Sequence, residues 1–364
     1  AQAFSASKPC DVPSAECCRF PLAMGNIFWQ SCCHPHAKLN RLDKMVNFLL
    51  GVSLRLGKLK PNDMASLERS RRAAEKANDS YEKVLEGSWE VTEQTFERLC
   101  GGGEPVKVLF HRPTDCDQKD LPLLLWVHGG GMILGSFRDV WGLRFMKLTE
   151  GRYGKFCWAS LQYRFAPEFK FPAAVDDFVS AYRSLIDERF ASSMGYSTKN
   201  ISVASCSAGS LVACHGLLRL ERWLPTALMY PMVDPHMSSE SHRLFGTLPA
   251  CPSSFLRISW DWLLSDSNGQ IREDLQRDAN LLMSDFSGLK GNRVLVVTAT
   301  CDCLRDEGRE LAKKLEEAGV QVTAIEGPGS HCVAHMLDND FRDETFTTFI
   351  SLMLPPREDE ICET

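Results

Sequence analysis

No apolar run in this sequence is long enough to cross a membrane. The longest, such as Leu121 to Val127 and Val294 to Val297, are strand-sized, far below the roughly 20 residues that a spanning helix needs. Positive charge is not in excess either: 41 Lys plus Arg face 47 Asp plus Glu, for a formal net charge of -6, so a nucleic-acid partner is not expected. There is no internal repeat at a fixed period and no charged-then-apolar leader, which argues against a solenoid and against a signal peptide. The chain opens at Ala1 rather than at methionine, the pattern of a processed or trimmed start.

Cysteines are plentiful but not in a framework. There are 15, an odd number scattered over 364 residues, so a reducing, intracellular and cytoplasmic setting is expected rather than a disulfide scaffold. Five of them, Cys10, Cys17, Cys18, Cys32 and Cys33, crowd the first 33 residues beside His34 and His36. No Cys-x2-Cys pair gives zinc spacing, so no metal is expected there and the thiols read as part of an irregular tail. At 44% hydrophobic and 24% charged residues the composition is globular, which excludes a disordered or collagen-like chain.

Residues 1–40 carry no sustained period. From Leu42, the positions Met45, Val46, Leu49, Val52 and Leu56 recur at helical intervals, with Arg41, Lys44, Arg55 and Lys58 alongside. Two readings stand: a helix packed on the protein, or a basic amphipathic helix over residues 41–60 that makes peripheral membrane contact or shelters a pocket. Residues 63–86 read as a charged helical stretch. Gly101 to Gly103 then read as a turn between strands, because no helix start follows to cradle a phosphate. Beyond it, short apolar runs (Val106–Phe110, Leu121–Val127, Phe156–Leu161, Ile201–Ala204, Ala227–Tyr230, Val294–Thr300, Val322–Ile325) alternate with helical patterns such as Ala173–Asp187, Leu211–Leu220 and Asp306–Ala318. That alternation predicts an α/β class fold with a mostly parallel central sheet covered by helices on both faces. The long interruption at 231–281 carries Phe255, Trp260 and Trp262 and reads as an insertion with its own apolar surface, a candidate lid.

The chemistry concentrates in four places. Ile201 to Ala204 runs through Ser205-Cys206-Ser207-Ala208-Gly209 into a helix, a strand-to-helix turn of small residues that would hold Ser207 out at the end of the sheet. Serine at 205, where such an elbow ordinarily has glycine, adds a Cβ and a hydroxyl in a crowded turn. His128-Gly129-Gly130-Gly131 follows the Leu121–Val127 strand, and consecutive glycines let backbone N–H groups turn into a cavity. Acyl transfer needs such donors for the oxyanion, and the candidates are the amides of Gly130, Gly131 and Ala208. A serine hydroxyl needs a base and the base an orienting carboxylate. Asp302 lies immediately past the Val294–Thr300 strand, whereas Asp306 and Glu307 read as first-turn residues favoured by a helix dipole. His331 follows the Gly327–Gly329 turn and is preferred over His335. Cys206 is a poor rival nucleophile, because its side chain is expected to point away from the apex that Ser207 occupies.

Together these segments resemble the hormone-sensitive-lipase-like esterases, a branch of the α/β-hydrolases, over roughly Val106 to Met336. His128 to Gly131 is similar to the family's oxyanion signature. Tyr163 to Glu168 looks like its Tyr-Arg-Leu-Ala-Pro-Glu block, Phe171 to Ala174 like Phe-Pro-Ala-Ala, and Asp302 to Glu307 like Asp-Pro-Leu-Arg-Asp-Glu. The family's elbow reads Gly-Asp-Ser-Ala-Gly-Gly, and its histidine is often followed by Gly-Phe; this chain has Ser205-Cys206-Ser207-Ala208-Gly209-Ser210 and His331-Cys332-Val333. The resemblance implies the α/β-hydrolase fold with a helical cap, divided as an irregular segment 1–40, a helical cap 41–100, a core of 101–230 and 282–355, a cap insertion 231–281 and a tail 356–364. It implies a serine carboxylic-ester hydrolase for apolar small-molecule or short and medium acyl esters, with a Ser207, Asp302, His331 triad and no cofactor. Two alternatives remain. One is a small-molecule receptor, since plant gibberellin receptors share the fold but lack the triad histidine; the other is an interfacial lipase docking through residues 41–60.

Overall fold

The computed structural model describes residues 39, 44–45, 59–85, 89–99, 103–222, 224–332 and 340–354. The N-terminal cysteine cluster, nearly all of the 41–60 segment and His335 lie outside the described residues. An eight-stranded sheet runs in the order β1-β2-β4-β3-β5-β6-β7-β8. Its strands are β1 Trp89–Phe96, β2 Val106–Pro113, β3 Leu121–Val127, β4 Cys157–Gln162, β5 Tyr196–Cys206, β6 Thr226–Met229, β7 Arg293–Ala299 and β8 Gln321–Gly327. β1 pairs antiparallel with β2, and β2 with β4; every other pairing is parallel.

The parallel strands are covered on both faces, which is why they read as apolar runs rather than alternating ones. All seven residues of β3 are buried. Leu123, Leu125 and Val127 join one apolar cluster with Val175, Phe178, Leu211 and Val212, while Leu124 and Trp126 join a second with Leu143, Met146, Phe346 and Phe349. On the first side lie α4 Ala173–Leu185 and α6 Ala208–Arg219; on the second lie α3 Val140–Tyr153 and α11 Asp340–Met353. Truncating a residue such as Leu125 to alanine removes contacts on this layer and costs about 2–5 kcal/mol.

Before the sheet come α1 Met64–Ala77, capped by the Asp63 side chain on the Ser66 amide, and α2 Tyr81–Leu85. The sequence pattern did not reveal β1. Its residues Trp-Glu-Val-Thr-Glu-Gln-Thr-Phe are buried only at the two ends, as suits an edge strand. Gly103, with φ +91°, lies in the connection between β1 and β2, where the turn was expected. The segment between β6 and β7 carries three α-helices, α7 Glu240–Phe245, α8 Ser253–Leu264 and α9 Glu273–Ala279, followed by two short 3-10 turns at Leu281–Met283 and Ser287–Leu289. Helix α5 Glu188–Met194 precedes β5, and after β7 comes α10 Arg305–Glu317. Among the described residues, no helix is long and apolar enough to cross a membrane.

Candidate active site

Four loops leave the carboxyl ends of parallel strands on the same edge of the sheet, where open α/β folds place their ligands. The loop after β5 carries Ser207, the one after β7 Asp302, the one after β8 His331, and the one after β3 the glycines. Ser207 sits between β5 and α6 with φ 54° and ψ −123°, a backbone that side-chain-bearing residues rarely adopt. Its amide donates to Met229 O at 2.8 Å and its carbonyl accepts from the Met232 amide at 3.3 Å, so neighbouring β6 holds the turn.

The elbow tolerates serine at 205 but demands glycine at 209. Ser205 is fully buried, and its hydroxyl donates to Ala227 O and pairs with Ser210 Oγ, each at 3.1 Å. The two serines that replace the family's glycines thus satisfy one another. A Cβ on Gly209, by contrast, would lie 2.2 Å from Val127 O and 2.5 Å from His128 O. That close approach presses α6 against the start of the glycine loop.

The loop itself turns through Gly130 (φ +113°), Gly131 (φ +62°) and Met132 (φ +64°). Among the described residues, the Gly130 and Gly131 amides donate no hydrogen bond, and the Ala208 amide belongs to the first helical turn, whose N–H groups have no partner within the helix. Gly129 lies beside the nucleophile candidate, since its Cβ would come 3.1 Å from Ser207 Cβ. His128 is buried and stacked on Tyr163, with ring centroids 4.4 Å apart, and its Nδ1 lies 2.7 Å from Gly129 O. Burial pushes its pKa down to about 4, so the ring is neutral and Nδ1–H donates to that carbonyl. The Tyr163 hydroxyl donates to His128 O at 3.0 Å, and Arg71 Nε of α1 donates to Ile133 O at 2.9 Å. Arg71 also forms a bidentate pair with Glu168 and donates to Ala166 O, which ties α1 to the Tyr163–Glu168 block. These supports were not foreseen; their signal in the sequence was the Tyr163–Glu168 motif, whose role is structural.

Asp302 is buried, and its Oδ2 accepts from His331 Nδ1–H at 2.7 Å while Oδ1 accepts from the Leu304 amide at 3.0 Å. The loops that carry them are laced together: the Cys301 amide donates to Gly329 O at 2.8 Å and the Thr300 amide to Gly327 O at 2.9 Å. Burial alone would lower the His331 pKa, but the Asp302 charge and its hydrogen bond outweigh this and raise it to about 9. Tyr230 packs edge-on against the imidazole, with centroids 5.5 Å apart. Among the described residues, no hydrogen bond joins Ser207 Oγ to the His331 ring; such contacts often tighten only when substrate binds. The Cys206 sulfur meets Cys332 Sγ at 3.2 Å.

Asp306 and Glu307 do lie in the first turn of α10, but they also fasten the 231–281 segment. Glu307 is buried, and accepts from the Val233 and Asp234 amides at 2.7 and 2.8 Å and from His242 Nε2 at 2.9 Å. Asp306 Oδ2 accepts from the Ser241 amide at 2.8 Å. From that segment α8 reaches the glycine loop, because a Cβ on Gly131 would come 2.5 Å from Ser259 Oγ and 2.8 Å from the Phe255 ring. Cavities of about 140 and 160 Å³, one by Glu90 and Arg112 and one by Trp262 and Ile271, are not bordered by Ser207, Asp302 or His331, so convergent chemistry rather than cavity size marks the site. Among the described residues, Cys251, Asp302 and His331 bring one metal-ligating atom each within 4.8 Å of one another. The Asp302–His331 hydrogen bond already accounts for two of the three.

A family model described as alpha/beta hydrolase fold matches residues 124–336. The chain belongs to this family. Within it, this α/β-hydrolase stands with the hormone-sensitive-lipase-like esterases. It is 25% identical over 295 residues to the ethyl acetate hydrolase of Pseudomonas putida, covering 75% of this chain and 84% of that one. It is 28% identical over 244 residues to the versiconal hemiacetal acetate esterase of Emericella nidulans, covering 63% of this chain and 78% of the other. Among solved structures, a thermostable esterase from Pseudomonas putida superimposes with a TM-score of 0.69 at 25% identity, over 85% of this chain and 97% of that one.

Proposed function

We infer that the protein is a serine carboxylic-ester hydrolase that acts on small-molecule esters with short acyl groups. The observation that carries the reading is the Asp302–His331 hydrogen bond, on a buried carboxylate, beside the strained Ser207 turn. Ser207 Oγ attacks the ester carbonyl while His331 Nε2 takes its proton, and Asp302 holds Nδ1–H so that Nε2 faces the hydroxyl. The amides of Gly130, Gly131 and Ala208 receive the oxyanion, a contribution worth about 10²–10³ in rate per donor. Collapse expels the alcohol, which takes the proton from His331, and water then repeats the sequence on the acyl-enzyme.

Phe255 and Ser259 pressing on Gly131 support the short acyl preference, because they narrow the space beside the proposed oxyanion position. Two relatives are named for acetate esters, which agrees with it. The histidine that gibberellin receptors lack is present and paired here, which disfavours the receptor reading. An intracellular setting belongs to the same reading, since neighbouring thiols such as Cys206 and Cys332 stay reduced where cellular thiols dominate. The test is Ser207→Ala: hydrolysis of p-nitrophenyl acetate and labelling by a fluorophosphonate should both vanish. Retention of the wild-type rate would remove Ser207 from the mechanism.

A further inference from the structure

The two sites where this chain departs most clearly from the family pattern meet each other. Cys206 stands where the family elbow has Asp, and Cys332 where the family often has Gly. One immediately precedes Ser207 and the other immediately follows His331, and the loops after β5 and β8 bring their sulfurs to 3.2 Å. Both are only partly buried, whereas Cys157, Cys214, Cys251, Cys301 and Cys303 are buried. A small oxidant therefore has access to this pair in preference to those five; Cys116 is equally accessible and serves as the comparison.

We propose that Cys206 and Cys332 form an oxidation site, at which a peroxide converts the dithiol to a disulfide and thereby switches the hydrolase off. Cys206 sulfur attacks one peroxide oxygen and the O–O bond breaks, giving a sulfenic acid and one water from hydrogen peroxide. Cys332 sulfur then displaces the sulfenic hydroxyl, forming the S–S bond and a second water. The two sulfurs lose two electrons to the peroxide, and both thiol protons end in water. The hydrogen bond to Cys206, and then burial, hold the Cys332 thiol well above its usual range. Cys332 is thus the poorer nucleophile to begin the reaction, and it gives up its proton as it displaces the sulfenic hydroxyl.

The consequence for catalysis follows from geometry and rests on the triad reading above. A disulfide needs its sulfurs at about 2.05 Å, so the gap must close by about 1 Å through movement of the two side chains and the loops that carry them. Movement there bears on strained backbone next to the chemistry, where Ser207 has φ 54° and Cys332 has φ 58°. Displacements of about 1 Å at a reacting group cost about 100-fold in rate.

The experiment uses the full chain, reduced, freed of reductant and treated with hydrogen peroxide, followed by digestion without reduction and peptide mass spectrometry. A linked peptide joining Cys206 and Cys332, lighter by two hydrogens, is expected. The p-nitrophenyl acetate rate should fall about 100-fold and return with dithiothreitol. Cys206→Ser and Cys332→Ser should each hold their own reduced-state rate under peroxide, whereas Cys116→Ser should lose activity as the wild type does. Linkage to Cys251 or Cys303 instead, or formation of the bond with no change in rate, would overturn the proposal. A linked peptide in a protein that hydrolyses no ester in either state would overturn the esterase reading and leave the oxidation chemistry standing. Mapping the wild-type linkage requires no variant to fold.

Discussion

Gly209 and Ser205 occupy the two small-residue positions of the same turn, yet only one of them needs to be glycine. A methyl group at 209 meets two carbonyl oxygens at 2.2 and 2.5 Å, and neither can move without shifting β3 or the glycine loop. At 205 the serine hydroxyl has partners on Ala227 and Ser210. Gly209→Ala should therefore lower kcat about 100-fold and cost about 1–3 kcal/mol of stability through overpacking. Ser205→Gly, by contrast, should stay within a few-fold of wild type. Steady-state kinetics with a thermal melt on both variants checks this, and a fully active Gly209→Ala would refute the packing argument. Motif spacing suggested that Ser205 would crowd the turn; only the positions of its hydroxyl partners explain why it does not.

The elements divide by how much of their environment their own residues record. β3 and β7 are buried along nearly their full length, so apolar runs announced them. β1 borders the sheet and carries Glu90, Thr92, Glu93 and Gln94, a composition set by solvent and by one neighbour, so its own pattern was silent. α8 shows the same limit for function. Its apolar residues were visible, but that Phe255 and Ser259 rest on Gly131 depends on how Asp306 and Glu307 pin the segment that precedes it. Phe255→Ala should open the space beside the proposed oxyanion position and shift kcat/KM toward longer acyl chains. The shift should be about tenfold or more for butyrate and hexanoate relative to acetate, as expected for a few kcal/mol of relieved contact. A p-nitrophenyl ester series measures the shift, and an unchanged chain-length profile would place the acyl group elsewhere.

One proton links the activity of the whole molecule to its stability. With Asp302 beside it, His331 binds that proton up to about pH 9 in the folded state, against about 6.5 in an unfolded chain. A folded pKa raised in this way contributes stability that is fully present below about 6.5 and is lost as pH rises to about 9. The contribution is about 3 kcal/mol at most. On the proposed triad, catalysis runs the other way, because only the neutral imidazole can accept the Ser207 proton. Between about pH 6.5 and 9, kcat/KM should climb while Tm declines, and Asp302→Asn should flatten both trends and lower the rate by about 10⁴. Parallel pH titrations by kinetics and calorimetry test this. A rate already level at pH 7 would show that His331 titrates lower than its paired geometry implies.

Short-range patterns determined a great deal. Burial on two faces writes itself into a strand as an apolar run, and a strand-to-helix turn writes itself as small residues around one serine. The parallel sheet, the glycine loop and the candidacy of Ser207, Asp302 and His331 were therefore legible residue by residue. What the chain could not declare is which distant loops touch, because contact between positions such as 206 and 332 leaves no periodic or compositional trace. The sheet order decided that, by setting the ends of β5 and β7 either side of β6 and β8 beyond them. The same order made neighbours of a carboxylate and an imidazole, and of two sulfurs that neither motif required.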